Sequence, residues 1–319
     1  MVAEADESDR SFLKLTPTMA VLTNVDREHL ESYGTFERLQ EAFVDFANKV
    51  PFYGAVVACA DDPVLVALLP RMTRRVVTYG FGAGDVRGSD ARLEGFGARC
   101  AVGFPNAAGP ARGELRLRVP GHHSLLNALA AVAVGLEVGV PFETIASALG
   151  EFAGVERRFQ LKGEIGGVMV VDDYGHHPTE IAAVIAAARA GFDRRVLVAF
   201  QPHRYTRTAQ LAREFGEVLA AADEVVLTDV YGAGEAPLPG ATVEAIAEAL
   251  GRRTDRPVHV VKALGEVPEA VVRLARPGDL VLTLGAGSIG GVGAKILEAL
   301  ARRGKDGGAR VAPGGERAT

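Results

Sequence analysis

Cysteine is nearly absent: Cys59 and Cys100 are the only two in 319 residues. Two cysteines make neither a disulfide framework nor a zinc-ligand spacing, and each reads as a small core hydrophobe. Long apolar runs are missing too. The longest, such as Ala128 to Val134, fall far short of the roughly 18 residues a membrane helix needs. No basic block stands out: 35 Lys and Arg are interspersed with 40 Asp and Glu, and the formal net charge of -5 argues against a nucleic-acid partner. The first residues carry Glu4, Asp6, Glu7 and Asp9 where a signal peptide would be basic and then apolar, so the expected location is a reducing cytoplasm. Repeats and low-complexity runs are also lacking. What is present is apolar mass, 48% of the residues. At about 150 residues per domain, that is enough for two cores.

The chemistry concentrates in Asp172-Asp173-Tyr174-Gly175-His176-His177-Pro178-Thr179-Glu180. Before it, Val168 to Val171 reads as a buried strand; after it, Pro178 suits a first helical position and helix formers run on to Gly191. The motif therefore sits at the carboxyl end of a strand, the edge at which open α/β sheets bind ligands and helix amino termini attract anions. A second polar loop, Gln201 to Thr208, follows the apolar run Val196 to Phe200 and is expected to open on the same edge. Its Arg204 and Arg207 suit a phosphate or carboxylate. The alternative is solvated loop charges and a satisfied histidine.

From the amino terminus, Val2 to Asp9 reads as the end of a strand and an acidic loop, as though a start were missing or supplied by another chain. Met19 to Thr23 is the next strand, which places Glu4 and His29 on neighbouring strand ends, where oxygen and imidazole donors would suit a divalent metal. The competing reading is a surface acid and a core histidine. Thr35 to Val50 is a helix with Phe36, Leu39, Phe43, Phe46 and Ala47 on one face. Gly54 to Ala60 and Val76 to Phe81 are buried strands around a short helix begun at Asp62-Pro63. Gly82 to Pro120 reads as β-hairpins capping the sheet. A loop at His122-His123 enters an alanine-rich helix running to about Glu137, with His123 and Asn127 as ligand-facing candidates, and Phe142 to Phe152 is its helical partner. A hinge falls at Gly154 to Phe159, where Arg157 and Arg158 are a solvated pair or a phosphate clamp.

Beyond it, strands 168–171, 196–200, 224–229, 257–261 and 279–284 alternate with helices 179–190, 208–222, 242–252, 265–275 and 289–303. Such alternation specifies a parallel, doubly wound, Rossmann-like sheet. From Gly304 the tail is expected to be disordered. Gly285 to Gly290 matches G-x-G-x-x-G, but a dinucleotide fingerprint belongs on the first βα turn with an acid about 20 residues on, whereas this one ends the last strand. A nicotinamide enzyme is therefore not expected.

Taken together, EADESD from Glu4, TNVDREHLESY from Thr23, GVERRF from Gly154, DDYGHHPTE from Asp172, QPHRYTRT from Gln201, VYGAGEAP from Val230 and GAGSIG from Gly285 resemble the Mur ligases, and within them the branch that joins L-alanine to UDP-N-acetylmuramate. The resemblance runs from Glu4 to about Arg303. It implies a three-domain α/β enzyme of which residues 1–154 are the remainder of the central ATPase domain, 155–303 the complete carboxyl-terminal domain and 304–319 a tail. The implied reaction, in peptidoglycan precursor synthesis, uses ATP and Mg²⁺ to turn the sugar carboxylate into an acyl phosphate that L-alanine captures. By the same resemblance Glu4 and His29 hold Mg²⁺, Asn127, Arg158 and Asp173 contact the nucleotide, and Tyr174 and His203 meet the substrate. His176, Arg204 and Arg207 are the implied catalytic residues. Ser124, Glu28 and Ser288 depart from the family's commoner Asn, Asp and Asp or Asn. The larger departure is that G-x-x-x-x-G-K-[ST] occurs nowhere. Its nearest approach, Gly290 to Lys295, lacks the hydroxyl residue, so the chain alone is expected to be inactive, as a truncated gene product, a defunct copy, or one part of a split enzyme with a separately encoded amino-terminal half. The readings left beside this one are a ligase recycling murein tripeptide and a non-catalytic binding fragment.

Overall fold

The computed structural model describes residues 1–107 and 109–308. The chain divides into two compact units, Met1–Ala153 and Gly154–Thr319.

In the first unit a 3-10 turn, Ser11–Lys14, precedes β1 (Met19–Leu22), the one-turn α1 (Leu30–Tyr33) and α2 (Phe36–Asn48). There follow β2 (Ala55–Cys59), α3 (Pro63–Leu68), β3 (Val76–Gly80), β4 (Val86–Glu94), β5 (Gly97–Asn106) and β6 (Gly109–Leu117), then α4 (His122–Glu137) and α5 (Phe142–Glu151). The Thr35 hydroxyl caps α2 by accepting from the Arg38 N–H, and Asp62 caps α3 through Leu65 N–H at 2.7 Å with Pro63 behind it. β2, Ala-Val-Val-Ala-Cys, is buried along its whole length, as a strand covered on both faces must be. The six strands form one sheet in the order β1-β2-β3-β4-β5-β6, parallel through β4 and antiparallel thereafter. The segment expected to cap the sheet instead extends it, because β4 docks parallel to β3 at Tyr79 and Gly80 and carries the meander with it. A second correction concerns the first residues, which take up no strand.

The second unit holds β7 (Gln160–Ile165), β8 (Val168–Asp173), α6 (Pro178–Gly191), β9 (Arg195–Phe200), α7 (Tyr205–Leu219), β10 (Glu224–Leu227) and α8 (Val243–Gly251). β11 (Val258–Val260), α9 (Val267–Leu274), β12 (Asp279–Leu284), a 3-10 turn Ser288–Gly291 and α10 (Val292–Gly308) complete it. Strand order is β11-β10-β9-β12-β8-β7, with every pairing parallel except β7 with β8. The β7–β8 hairpin turns on Gly166 and Gly167, both at positive φ, as a type I′ turn requires. It was not expected from periodicity, although the Gly-Gly pair announces it. α10 runs four residues past the expected start of the tail, since Gly304 lies inside it; residues 309–319 of that tail lie outside the described residues.

The last strand in sequence is central in space: β12 lies between β8 and β9, with Leu284 opposite both Asp173 and Phe200. The residues that follow these three therefore emerge side by side. At the opposite ends of the strands Arg195 donates to Asp279 at 3.0 and 2.7 Å and to Glu224 at 3.2 Å, pinning β9, β12 and β10 in register.

Helices α7 and α8 meet at Gly216, where a Cβ would come within 2.6 Å of the Ala249 carbonyl carbon and the Leu250 nitrogen. Backbone cannot yield as a flexible side chain can. Gly216→Val should therefore cost about 1–3 kcal/mol in denaturant unfolding. Gly251→Ala, in open space at the end of α8, should leave stability unchanged or raise it by up to about 1 kcal/mol. Equal effects of the two would show that the helices do not meet there.

Candidate active site

The site of the second unit is built from the loops after β8, β9, β10 and β12. Asp173, the last residue of β8, is buried, and its two oxygens accept from Phe159 N–H and Gly175 N–H, each at 2.7 Å. Those bonds tie the turn before β7 to the loop after β8. Burial pushes the carboxyl up to about 6 despite the two donors and Arg158. Asp172 beside it accepts from Thr283 Oγ1 at 2.6 Å and Arg157 Nε at 3.0 Å, and Arg157 also donates to the Gly285 carbonyl at 2.6 Å.

Arg157 and Arg158 thus part company. Arg157 turns inward as a brace, not half of a phosphate clamp, while Arg158 stays more than half exposed, 3.5 Å from Glu180. Both guanidinium groups lie over the Tyr174 ring, at 5.0 and 5.6 Å.

From Tyr174 a row of rings crosses the strand ends. Tyr174 meets His176 edge-on at 5.3 Å, His176 meets His203 edge-on at 5.6 Å, and His203 stacks on Tyr231 at 5.6 Å. The outer two present the row to solvent, Tyr174 at 37% and Tyr231 at 41% exposure. Tyr231 was not singled out from sequence, although its loop was seen to follow a strand. Reciprocal backbone bonds fix it: Tyr231 N–H donates to Pro202 O and Arg204 N–H to Tyr231 O, both at 2.8 Å.

Arg204 precedes α7 at φ 69°, a conformation few non-glycine residues adopt. It is held there by that bond to Tyr231 and by Thr208, whose N–H and hydroxyl both donate to the Arg204 carbonyl. Arg207, one turn on, has its NH1 3.5 Å from His203 Nδ1. Across the helix start Glu235 accepts from Thr206 N–H at 3.0 Å and Thr206 Oγ1 at 2.7 Å, latching the loop after β10 to α7. Glu235 also escaped the sequence reading. Burial, with His176, Arg207 and Arg204 adding positive charge, pushes the His203 imidazole down to about 4, so it is neutral at pH 7.

The glycines after β12 approach the protein's own groups. A Cβ on Gly285 would lie 2.6 Å from Gln201 O, and one on Gly290 would lie 2.5 Å from Arg157 Cζ. Gln201, buried, accepts at Oε1 from Ile289 N–H (3.0 Å) and Ser288 Oγ (3.3 Å). The loop is a packing joint between β9 and β12.

The remaining expected site residues belong to the first unit. Asn127 is exposed on α4, and Glu4 is exposed before the 3-10 turn. His29, at φ 55°, has acidic neighbours in Glu7 and Glu31, each 3.8 Å away, rather than in Glu4, because no strand carries Glu4 to a neighbouring edge. Among the described residues no three His, Cys, Asp or Glu gather as a metal cage. Magnesium does not require one: it keeps waters and takes one or two protein ligands beside substrate phosphates. The structure does not bring Glu4 and His29 together as a pair of ligands; the carboxylates beside His29 are those of Glu7 and Glu31.

The two α/β units, the second with this histidine- and arginine-lined edge, match known domains over most of their length. Residues 1–135 match the Mur ligase middle domain and residues 157–287 the Mur ligase, glutamate ligase domain; the chain belongs to the Mur ligase family. Among curated relatives it is 48% identical over 299 residues to the UDP-N-acetylmuramate–L-alanine ligase of Geobacter sp. strain M21 (93% of this chain, 64% of that protein). To the enzyme of that name from Myxococcus xanthus it is 50% identical over 301 residues (94% and 63%). The crystal structure of the UDP-N-acetylmuramate–alanine ligase of Thermotoga maritima superposes with a TM-score of 0.75 at 28% identity, covering 94% of this chain and 63% of that one. The chain thus spans 63–64% of the length of these relatives.

The electrostatics can be read by titration. Ring NMR should show His203 protonating near pH 4, while the Asp173 carboxyl titrates near 6. A raised acid stabilises the fold fully below its unfolded pKa and loses that contribution as pH rises through about 6. Asp173→Asn should therefore gain on the wild type between pH 4 and 7, by up to about 3 kcal/mol in unfolding free energy. A His203 midpoint near 6.5, or a flat Asp173→Asn difference, would refute this assignment.

Proposed function

We propose that this chain carries the amino-acid-accepting part of an ATP-dependent, Mg²⁺-assisted ligase that joins L-alanine to UDP-N-acetylmuramate in the bacterial cytoplasm for peptidoglycan precursor synthesis. The observation that carries the reading is the strand-end cluster of Tyr174, His176, His203, Arg204 and Arg207, in a chain about 48% identical to relatives bearing that activity's name. In the proposed reaction the sugar carboxylate takes the γ-phosphate of ATP, and the amine of L-alanine displaces phosphate from the acyl phosphate. Every species in it is anionic except the amine. Arg204 and Arg207 would pair with the amino-acid carboxylate and the acyl phosphate, charge-assisted contacts preorganised by the start of α7. His203, neutral at the working pH, adds no charge of its own and gives the amino acid an imidazole between His176 and Tyr231. Arg158 and Asp173 are assigned to the nucleotide, with Asp173 acting through the turn it holds at Arg158. When bound, Mg²⁺ would offset phosphate charge; Glu4 by itself offers an exposed carboxylate to it, and His29, set between Glu7 and Glu31, is not its partner there.

No G-x-x-x-x-G-K-[ST] sequence is present in the 319 residues. That loop cradles the β- and γ-phosphates, and phosphoryl transfer depends on such positioning and charge stabilisation. The proposal therefore includes a partner: a segment with the phosphate loop and the UDP-sugar site, on another chain or on a longer form of this one.

The 319-residue chain given ATP, Mg²⁺, UDP-N-acetylmuramate and L-alanine should release no L-alanine-dependent phosphate. Co-expression with such a segment should restore release and yield the ligated product by mass spectrometry. Turnover by the chain alone would mean that other residues bind the γ-phosphate. In the restored enzyme Arg204→Ala and Arg207→Ala should each lower kcat/KM for L-alanine by about tenfold to a hundredfold, the equivalent of 1.5–3 kcal/mol, and leave the ATP constant nearly unchanged. A change confined to ATP would place these arginines on the nucleotide.

A further inference from the structure

Glu180 stands in the first turn of α6, and its carboxylate folds back over the helix start. Oε2 accepts from His176 N–H at 2.9 Å and from His177 N–H at 3.1 Å, the carboxylate half of a capping box. Capping alone makes no demand on the His176 ring. Yet Nδ1 of that ring lies 3.4 Å from the same Oε2 and 3.1 Å from the Tyr174 carbonyl. Both neighbours accept and neither donates, so the nitrogen between them must carry hydrogen. In the neutral ring the lone pair then resides on Nε2.

We propose that Glu180 is a positioning residue for His176, holding the imidazole as its Nδ1–H tautomer so that Nε2 is the atom that takes a proton from the incoming amine. The tautomer follows from this structure alone; the proton's source rests on the ligase reading above.

Groups facing the ring include Glu180 from α6, Tyr174 from the same loop and His203 from the loop after β9. Arg158 stands behind Glu180, and Arg204 and Arg207 stand around His203. Burial pushes the Glu180 carboxyl up, but His176, the two N–H donors and Arg158 together hold it below the ordinary carboxylate range. It is therefore an anion at neutral pH. A carboxylate behind an imidazole orients the ring and stabilises the imidazolium that forms when the far nitrogen accepts a proton. His203, 5.6 Å away and desolvated among cations, is unsuited to the same task.

The step balances. Nε2 takes one proton from the ammonium of L-alanine, and the nitrogen lone pair forms the C–N bond to the acyl carbon. The C–O bond to phosphate breaks with its electron pair going to the phosphate, the second amine proton leaves with it as hydrogen phosphate, and His176 later releases its proton to water.

The test begins without substrate. In the wild-type chain labelled with ¹⁵N-histidine, two-bond ¹H–¹⁵N correlation above the His176 titration should give a protonated Nδ1 and an unprotonated Nε2. The opposite pattern overturns the proposal at once, whatever any variant does. Glu180→Gln keeps an oxygen for the two backbone donors and removes the charge. It should shift the His176 midpoint to lower pH, and an unchanged midpoint in the folded variant denies Glu180 its role. In the restored enzyme Glu180→Gln should lower kcat about tenfold or more, part of the hundredfold to ten-thousandfold a general base supplies, and move the acid limb of the pH profile to lower pH. A loss of rate with an unmoved acid limb would reduce Glu180 to a cap. If the restored wild type makes no product, the ligase reading fails while the tautomer result stands or falls by itself.

Discussion

The second unit depends on the hydrogen-bond ladder that seats β12 between β8 and β9. With Leu284 opposite Asp173 on one side and Phe200 on the other, the three loops carrying Tyr174, Gly285 and Gln201 leave one edge at one height. A slip of one residue would turn every side chain to the other face and take the Asp172–Thr283 contact with it. Asp172 is fully buried and charge-paired with Arg157, which reaches on to the Gly285 carbonyl. Taking one partner from such a pair leaves an uncompensated buried charge, at a cost of roughly 3–5 kcal/mol. The ladder and the pair therefore fix each other: the strands bring the charges together, and the charges penalise any other register.

On this edge two histidines 5.6 Å apart are given opposite surroundings. His203 is desolvated and ringed by Arg204 and Arg207, which disfavour a further positive charge; His176 has a carboxylate at its Nδ1 side. Two rings that meet edge-on thus stand in opposite charge environments, cations around one and a carboxylate beside the other.

Strain and glycine serve the same edge in different ways. Arg204 holds φ 69° because a backbone bond to Tyr231 and two donors from Thr208 over-determine it; such a conformation costs about 1–3 kcal/mol and persists only where it is so enforced. The G-x-G-x-x-G run, by contrast, spends its glycines on close approach to Gln201 and Arg157. The same string that cradles pyrophosphate on a first βα turn is here a joint between the last strand and its neighbours, because strand order decides what lies above it.

The sequence by itself determined the elements and the loops that carry chemistry. Its periodicity marked the strands and helices of the second unit within a few residues, β7 excepted, and punctuation by Pro178 and the polar loops after Val171 and Phe200 marked the strand ends, since these are local signals of backbone and burial. It did not determine which strands are neighbours. Nothing local says that β12 enters the middle of its sheet, that β4 extends the first sheet rather than capping it, or that Glu4 lacks a strand to bring it to His29. Nor does spacing reveal that Arg157 is a brace while Arg158 is exposed, or that Tyr231 and Glu235 close on His203 and Thr206. Those are contacts between segments far apart in the chain, and only the sheet's hydrogen bonding and the burial of charge, summed over the whole unit, select them.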